Sequence, residues 1–359
     1  MSRKKLHEVS RLATLVLHTL EKSSYANTTI VIDVGAGQGY LTHRLAAAHA
    51  CIAVDFDEIQ TVGSKTRGRE LQRGRIKDAS AERHEILYRT MRINEAGLVG
   101  LVEELGRESP EEWKYALVGL HACGDLSANT MLGAFRTSKA IKMLAVVPCC
   151  FNLITEPNGN DDASCNASGQ HGFPLSKHLT ELCSAYPCLS PLASSLHNHA
   201  NRALLSALLL HFNLADETTE PTRGPAAENE TRIPTPAGSH HKFRLNGLDA
   251  ATLEGPFVPY AMEALVRLGL AGRVTEEEVR AFSELPKYAN AENEVFIVHC
   301  VRSLLSRVVE SLLLMDRALF LQEMEEDERG GDGMQWDMLN LFDLDVSPRN
   351  MVFVASKGK

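Results

Sequence analysis

The chain has 359 residues, 44% apolar and 23% charged, with a formal net charge of −9. This balance fits a globular protein of one large domain with insertions or of two domains. It argues against a protein that grips nucleic acid through its overall field, and leaves room for a local basic patch. There is no run of 18 apolar residues, so no membrane partner is expected, and Met1-Ser2-Arg3-Lys4-Lys5 lacks the apolar core of a signal peptide. Eight cysteines, two of them adjacent at Cys149-Cys150, do not read as a disulfide framework. The expectation is an intracellular protein, cytoplasmic or nuclear, with reduced thiols.

Residues 3–24 carry Leu6, Val9, Leu12, Leu15, Val16 and Leu20 at helical spacing, which predicts an amphipathic helix covering a face or edge of a sheet. Ile30-Val31-Ile32 then run into Asp33-Val34-Gly35-Ala36-Gly37-Gln38-Gly39-Tyr40. That is a buried parallel strand, a glycine loop and a helix over Tyr40–Ala50. A dinucleotide fingerprint needs G-x-G-x-x-G. Here the third glycine comes one residue early, and Asp-x-Gly-x-Gly-x-Gly is the pattern of S-adenosylmethionine (SAM) binding in class I methyltransferases. Cys51–Asp55 predicts a second buried strand, with Asp55 22 residues after Asp33, where an acid can accept from ribose hydroxyls.

Ile59–Asp78 predicts a helix with a basic run of Lys65, Arg67, Arg69, Arg73, Arg75 and Lys77, read as a solvated face or a phosphate-contacting patch. His84–Met91 predicts strand three. No acid follows it, and Asn94 stands in as the candidate partner of the adenine amine. A helix over Ala96–Leu105 leads to strand four at Tyr115–His121, followed by Ala122-Cys123-Gly124-Asp125-Leu126 and a helix from about Ser127. Strand five, Ile141–Val147, ends in Pro148-Cys149-Cys150. Two strands that each end in reactive side chains suit a site at the carboxyl edge of a parallel sheet. Further helices are expected over Asn201–Leu214, Pro259–Leu270, Thr275–Phe282 and Glu292–Glu325, the last with room for one break. Residues 155–170 read as a polar loop and 215–240 as a flexible insertion. Met338–Leu344 and Asn350–Ser356 predict a hairpin around Asp345–Arg349.

The fold expectation is α/β: a class I methyltransferase (Rossmann-like) sheet, mostly parallel, closed by a C-terminal antiparallel hairpin and carrying helical insertions. The expected divisions are a covering helix over 1–28, a SAM-binding core over 29–214, an insertion over 215–250, a helical segment over 251–330 and the hairpin over 331–359.

The chain resembles the methyltransferase-like protein 25 family, including its relative with a ribosomal-RNA-adenine-dimethylase domain. The resemblance is carried by Lys4-Lys5-x-His7-Glu8-Val9, Asp33-Val34-Gly35-Ala36-Gly37-Gln38-Gly39-Tyr40-Leu41 and Gly119-Leu120-His121-Ala122-Cys123-Gly124-Asp125-Leu126. It extends to Cys149-Cys150, Phe173-Pro174-Leu175-Ser176 and Ser347-Pro348-Arg349-Asn350, with 155–170 and 215–240 outside it. A weaker similarity reaches a tRNA 2′-O-methyltransferase family that also pairs His-x-Cys-Gly with Cys-Cys. Family members often have a region ahead of the Lys-Lys helix, so the chain reads as a fragment or a short form. The resemblance implies a SAM-dependent methyltransferase fold with SAM as cofactor. A macromolecular methyl acceptor is expected, RNA slightly ahead of protein on the resemblance together with the basic run at 65–77. The alternative is a methyltransferase-like scaffold that has lost catalysis.

The candidate cofactor residues are Asp33, Gly35, Ala36, Gly37, Gly39, Tyr40, Asp55, Phe56, Asn94 and His121. The candidate catalytic residues are His121 as general base, Asp125 as its orienting partner or a helix cap, and Cys149 as a nucleophile towards a pyrimidine. No metal is expected. The alternatives for the cysteines are buried apolar packing and a zinc site of His121, Cys123, Cys149 and Cys150. Cys183, Cys188, His197 and His199 form a second, looser metal-like spacing that a helix end and a loop explain equally.

Overall fold

Val31, Ile32 and Val34 are buried on opposite faces of β1 (Thr29–Val34), as a central parallel strand requires. The computed structural model describes residues 1–75, 84–108, 112–154, 192–214, 248–327 and 333–358. β1 is flanked by β2 (Cys51–Asp55) and β4 (Lys114–Cys123), and the seven-stranded sheet runs β3-β2-β1-β4-β5-β7-β6. β3 (Ile86–Thr90) and β5 (Ile141–Cys149) continue the parallel set. β7 (Met351–Lys357) is antiparallel to both β5 and β6 (Met334–Asn340). The expected sheet, parallel units closed by an antiparallel pair, is the one observed.

Alternation along the strands sorts side chains onto two layers. Ala116, Val118 and Leu120 of β4 join Val9, Leu12, Val16 and Leu20 of α1 (Arg3–Glu21) on one face. Tyr115 and Leu117 join Leu98, Phe135, Leu313 and Phe320 on the other. The helix on the second face nearest the strand tips, α4 (Glu95–Glu108), contributes Leu98, Leu101 and Val102.

Three boundaries differ from expectation for identifiable reasons. The helix after the glycine loop, α2 (Tyr40–Leu45), stops short of Ala50, because the chain must turn back to open β2 at Cys51. The stretch Leu126–Leu132 is a wide π-helical turn before α5 (Gly133–Thr137), where a regular helix was expected. β6 begins at Met334, so the connection to β7 covers 341–350 and is no tight turn. Phe342 points into the α1 face, and Asn350 Nδ2 donates to Asn340 Oδ1 (3.1 Å) and to the Phe342 carbonyl (3.4 Å).

By its contacts the chain divides into one unit of Met1–Pro187 with Leu304–Lys359 and a second of Cys188–Ser303. Within the second, α6 (Leu192–His211), α7 (Ala250–Glu254), α8 (Phe257–Arg267) and α9 (Glu276–Ser283) pack around Leu205, Tyr260, Leu265, Val279 and Phe282. The long helix α10 (Ala291–Asp327) is unbroken and belongs to both units. The expected loop at 155–170, most of the 215–250 insertion and Phe173–Ser176 lie outside the described residues. No helix among the described residues is long and apolar enough to cross a membrane.

Candidate active site

The glycine loop leaves β1 through Gly35, Gly37 and Gly39, whose φ angles of 72°, 54° and 71° all lie in the left-handed region. At Gly39 a Cβ would also collide with Ser64 Oγ of α3 (Glu58–Arg75). The amides of Gly35 and Ala36 both donate to the Val54 carbonyl (2.9 and 3.0 Å), folding the loop back over the tip of β2. Asp55 closes it: Oδ2 accepts from Gly37 N (2.8 Å) and Oδ1 from Asp57 N (3.0 Å). Asp33, 2% exposed, accepts from Thr42 Oγ1 at 2.6 Å. Burial pushes its pKa up to about 6 against those hydrogen bonds, and the Asp55 charge adds to the rise.

Tyr40 lies between two cations, with Lys5 Nζ 4.3 Å and Arg67 Cζ 3.9 Å from its ring centre. Arg67 Nε also donates to the Gln38 carbonyl (3.1 Å). Burial and then the Arg67 charge hold the Lys5 ammonium below its usual pKa, with Glu8 opposing. Phe56 is 77% exposed beside Asp55. Asn94 is taken up locally: its Oδ1 accepts from Gly97 N (2.8 Å) in the first turn of α4.

His121 stands on a bulge. Between the pairs Gly119–Val146 and Ala122–Pro148, β4 carries one residue more than β5. The extra residue leaves Leu120 and Ala122 buried and turns His121 outward, its side chain 46% exposed. His121 Nε2 is 3.4 Å from Glu8 Oε2 of α1. Glu8 is 2% exposed, accepts from Ser347 Oγ (2.7 Å) and has Lys4 Nζ 3.8 Å away. Burial raises the Glu8 pKa, but the hydrogen bonds from His121 and Ser347 and the charges of His121 and Lys4 outweigh it and hold the carboxyl below its usual value. The carboxylate at His121 is therefore Glu8. Asp125 occupies the position before the 126–132 turn without capping it through its side chain, and accepts from Asn129 Nδ2 at 3.5 Å.

Glu8 and Ser347 carried no site role in the sequence reading. One signal was available for Glu8: it lies on the same stripe as Leu12 and Val16, at i, i+4 and i+8, and a carboxylate on a core stripe needs a partner.

The three cysteines meet at the same sheet edge. Cys123 and Cys149 are register partners at the tips of β4 and β5, with Sγ atoms 3.3 Å apart. Cys150 follows with φ 47° and ψ 49°, an uncommon conformation for a residue with a side chain, and the three sulfurs lie within 4.8 Å of one another. The proximity of the other two thiols pulls the Cys150 pKa down, with His121 and Arg349 adding to it, and pushes that of Cys149 up. His121 is not part of this sulfur cluster, which is the one potential metal-holding group among the described residues. His197 pairs with Glu292 and His199 stacks on His299 at 5.3 Å, while Cys183 and Cys188 lie outside the described residues.

Residues 4–157 match the family model described as a methyltransferase domain. That stretch of the chain is similar to the methyltransferase domain family, and more of the chain is similar to two proteins named probable methyltransferase-like protein 25. It is 25% identical to the mouse protein named probable methyltransferase-like protein 25 over 318 residues, covering 85% of this chain and 48% of that protein. It is 26% identical to the human protein of the same name over 246 residues, covering 67% of this chain and 36% of that protein. The chain thus spans about half or less of the length of the curated relatives it matches. The matched stretch holds the glycine loop, Asp55, His121 and all three clustered cysteines. Ser347 lies beyond it in sequence, as does Arg349.

Proposed function

We propose that the chain is a SAM-dependent methyltransferase acting on a macromolecule, RNA ahead of protein, with His121 as general base. The observation that carries the reading is the closed loop at the carboxyl tips of β1 and β2. Three left-handed glycines keep side chains off the loop, and Asp55 fastens it through Gly37 N. The residues fit SAM. Asp55 has a lone pair left on each oxygen for ribose hydroxyls, and Phe56 offers an exposed ring beside it. When bound, SAM supplies an electrophilic methyl group on a sulfonium, so the protein has to position the acceptor and remove its proton. His121 takes that proton from a nitrogen or oxygen acceptor, and the buried Glu8 carboxylate stabilises the imidazolium formed. Lys5, Lys65 and Arg67 give the loop a positive flank that suits a phosphate backbone. The side chains of Arg73 and Arg75, and the whole of Lys77, lie outside what the structure describes.

Calorimetry with SAM tests the cofactor step. Binding by the native chain that is lost in D55A is expected, and no binding by the native chain overturns the reading. Transfer of labelled methyl groups from SAM to RNA and protein fractions tests the acceptor, with H121A as control. A second reading, a methyltransferase-like scaffold without catalysis, is favoured by one observation: Asn94 is engaged as a helix cap. SAM binding without transfer to either fraction would select it.

A further inference from the structure

We propose that Cys123, Cys149 and Cys150 form a binding site for a thiophilic divalent metal ion, with Zn²⁺ the best-fitting candidate. The site is independent of the methyltransferase reading, since it needs neither SAM nor an acceptor. Two observations carry it. The sulfurs converge: one pair is 3.3 Å apart and all three lie within 4.8 Å. Tetrahedral zinc at about 2.3 Å from each sulfur holds its thiolates about 3.8 Å apart, inside that range. The backbone is bent to bring them there. Cys150 sits in the left-handed region at φ 47°, a conformation that persists only where surrounding structure enforces it. On the facing strand, Gly124 has φ 53°, a Cβ there would lie 2.5 Å from the Leu153 carbonyl oxygen, and its amide donates to the Cys149 carbonyl (3.0 Å).

Packing alone explains one buried cysteine, and a disulfide uses two. Neither accounts for a third sulfur brought in on strained backbone. Binding would form three Zn–S bonds, release to solvent the protons still carried by the thiols, and leave the fourth position to water. The ion would tie the tips of β4 and β5 together directly behind the bulge that presents His121.

The test is metal content of the full chain, purified, loaded with Zn²⁺ and desalted without SAM. About one equivalent per chain is expected. It should fall towards zero in C123S, C149S and C150S, and be unchanged in a C183S/C188S double variant. Stoichiometry retained in the single variants but lost in the double variant overturns the proposal, as does no metal in the native chain. A Cys123–Cys149 disulfide in non-reducing peptide maps of freshly isolated chain also overturns it. Should the serine variants fail to fold, Co²⁺ loading of the C183S/C188S chain decides. Sulfur-to-cobalt charge-transfer absorption supports the site, and its absence overturns it.

Discussion

Two stretches of the same sheet edge are assembled in different ways. At the tips of β1 and β2 the carboxylates that fasten the loop find partners close in sequence: Thr42 meets Asp33 nine residues away, and Gly37 meets Asp55 eighteen away. At the tips of β4 and β5 the partners are remote. His121 depends on Glu8 of the first helix, and Glu8 on Ser347, 339 residues further along. The first region is a loop whose shape is written into its own glycines. The second is a convergence that exists only once the 341–350 connection and the first helix have come together. Damage to the first should therefore abolish cofactor binding. Damage to the second should leave the cofactor bound and remove chemistry.

The largest expected effect is at the second region. H121A should lower methyl transfer by roughly 10²–10⁴-fold, the usual contribution of a positioned base, with SAM affinity within a factor of about two in calorimetry. Equal loss of both would erase the distinction between the regions. At the first region, Asp33 gives a pH test. Its pKa in the folded chain is raised to about 6, so its contribution to stability is fully present below the unfolded value of 3.8 and is lost as pH rises through 6. The shift corresponds to about 3 kcal/mol. D33N keeps an oxygen for Thr42 and should gain stability relative to the native chain between pH 4 and 7, in denaturant titrations without SAM. A flat difference would contradict the burial argument.

G39A should cost about 2–3 kcal/mol in the same titrations, from left-handed strain and the collision with Ser64, and should weaken SAM binding. E8Q keeps the shape of Glu8 without its charge. Transfer should fall about 10-fold, because the imidazolium formed in the reaction loses its counter-ion. An unchanged rate of transfer would leave Glu8 with packing alone. Because the Glu8 pKa lies below its usual value, its stabilisation is lost as pH falls through that lowered pKa, a loss that E8Q should not show. The smallest effect is N94A, about 1 kcal/mol of stability for a lost cap. A marked loss of SAM affinity in N94A would instead restore Asn94 to adenine recognition.

Much of the fold was legible because its signals are local. β-branched runs before Asp33, the early third glycine and Asp55 at the next strand tip predicted the sheet and the loop. The boundaries that moved did so through long-range packing. Phe342 and Asn350 drew the 341–350 connection onto the α1 face, and β6 began four residues before the expected Met338. His121 was visible as a histidine at a strand end, while the bulge that exposes it depends on the register of β4 against β5.

By itself the sequence determined a class of fold, the glycine pattern of one loop and the presence of reactive side chains at two strand ends, since periodicity and glycine spacing act over a few residues. Only the tertiary structure decided which carboxylate serves His121, and that three thiols share one space. Those facts depend on which remote strands and helices become neighbours: Glu8 is a helix residue and Ser347 a loop residue until the packed sheet places them together.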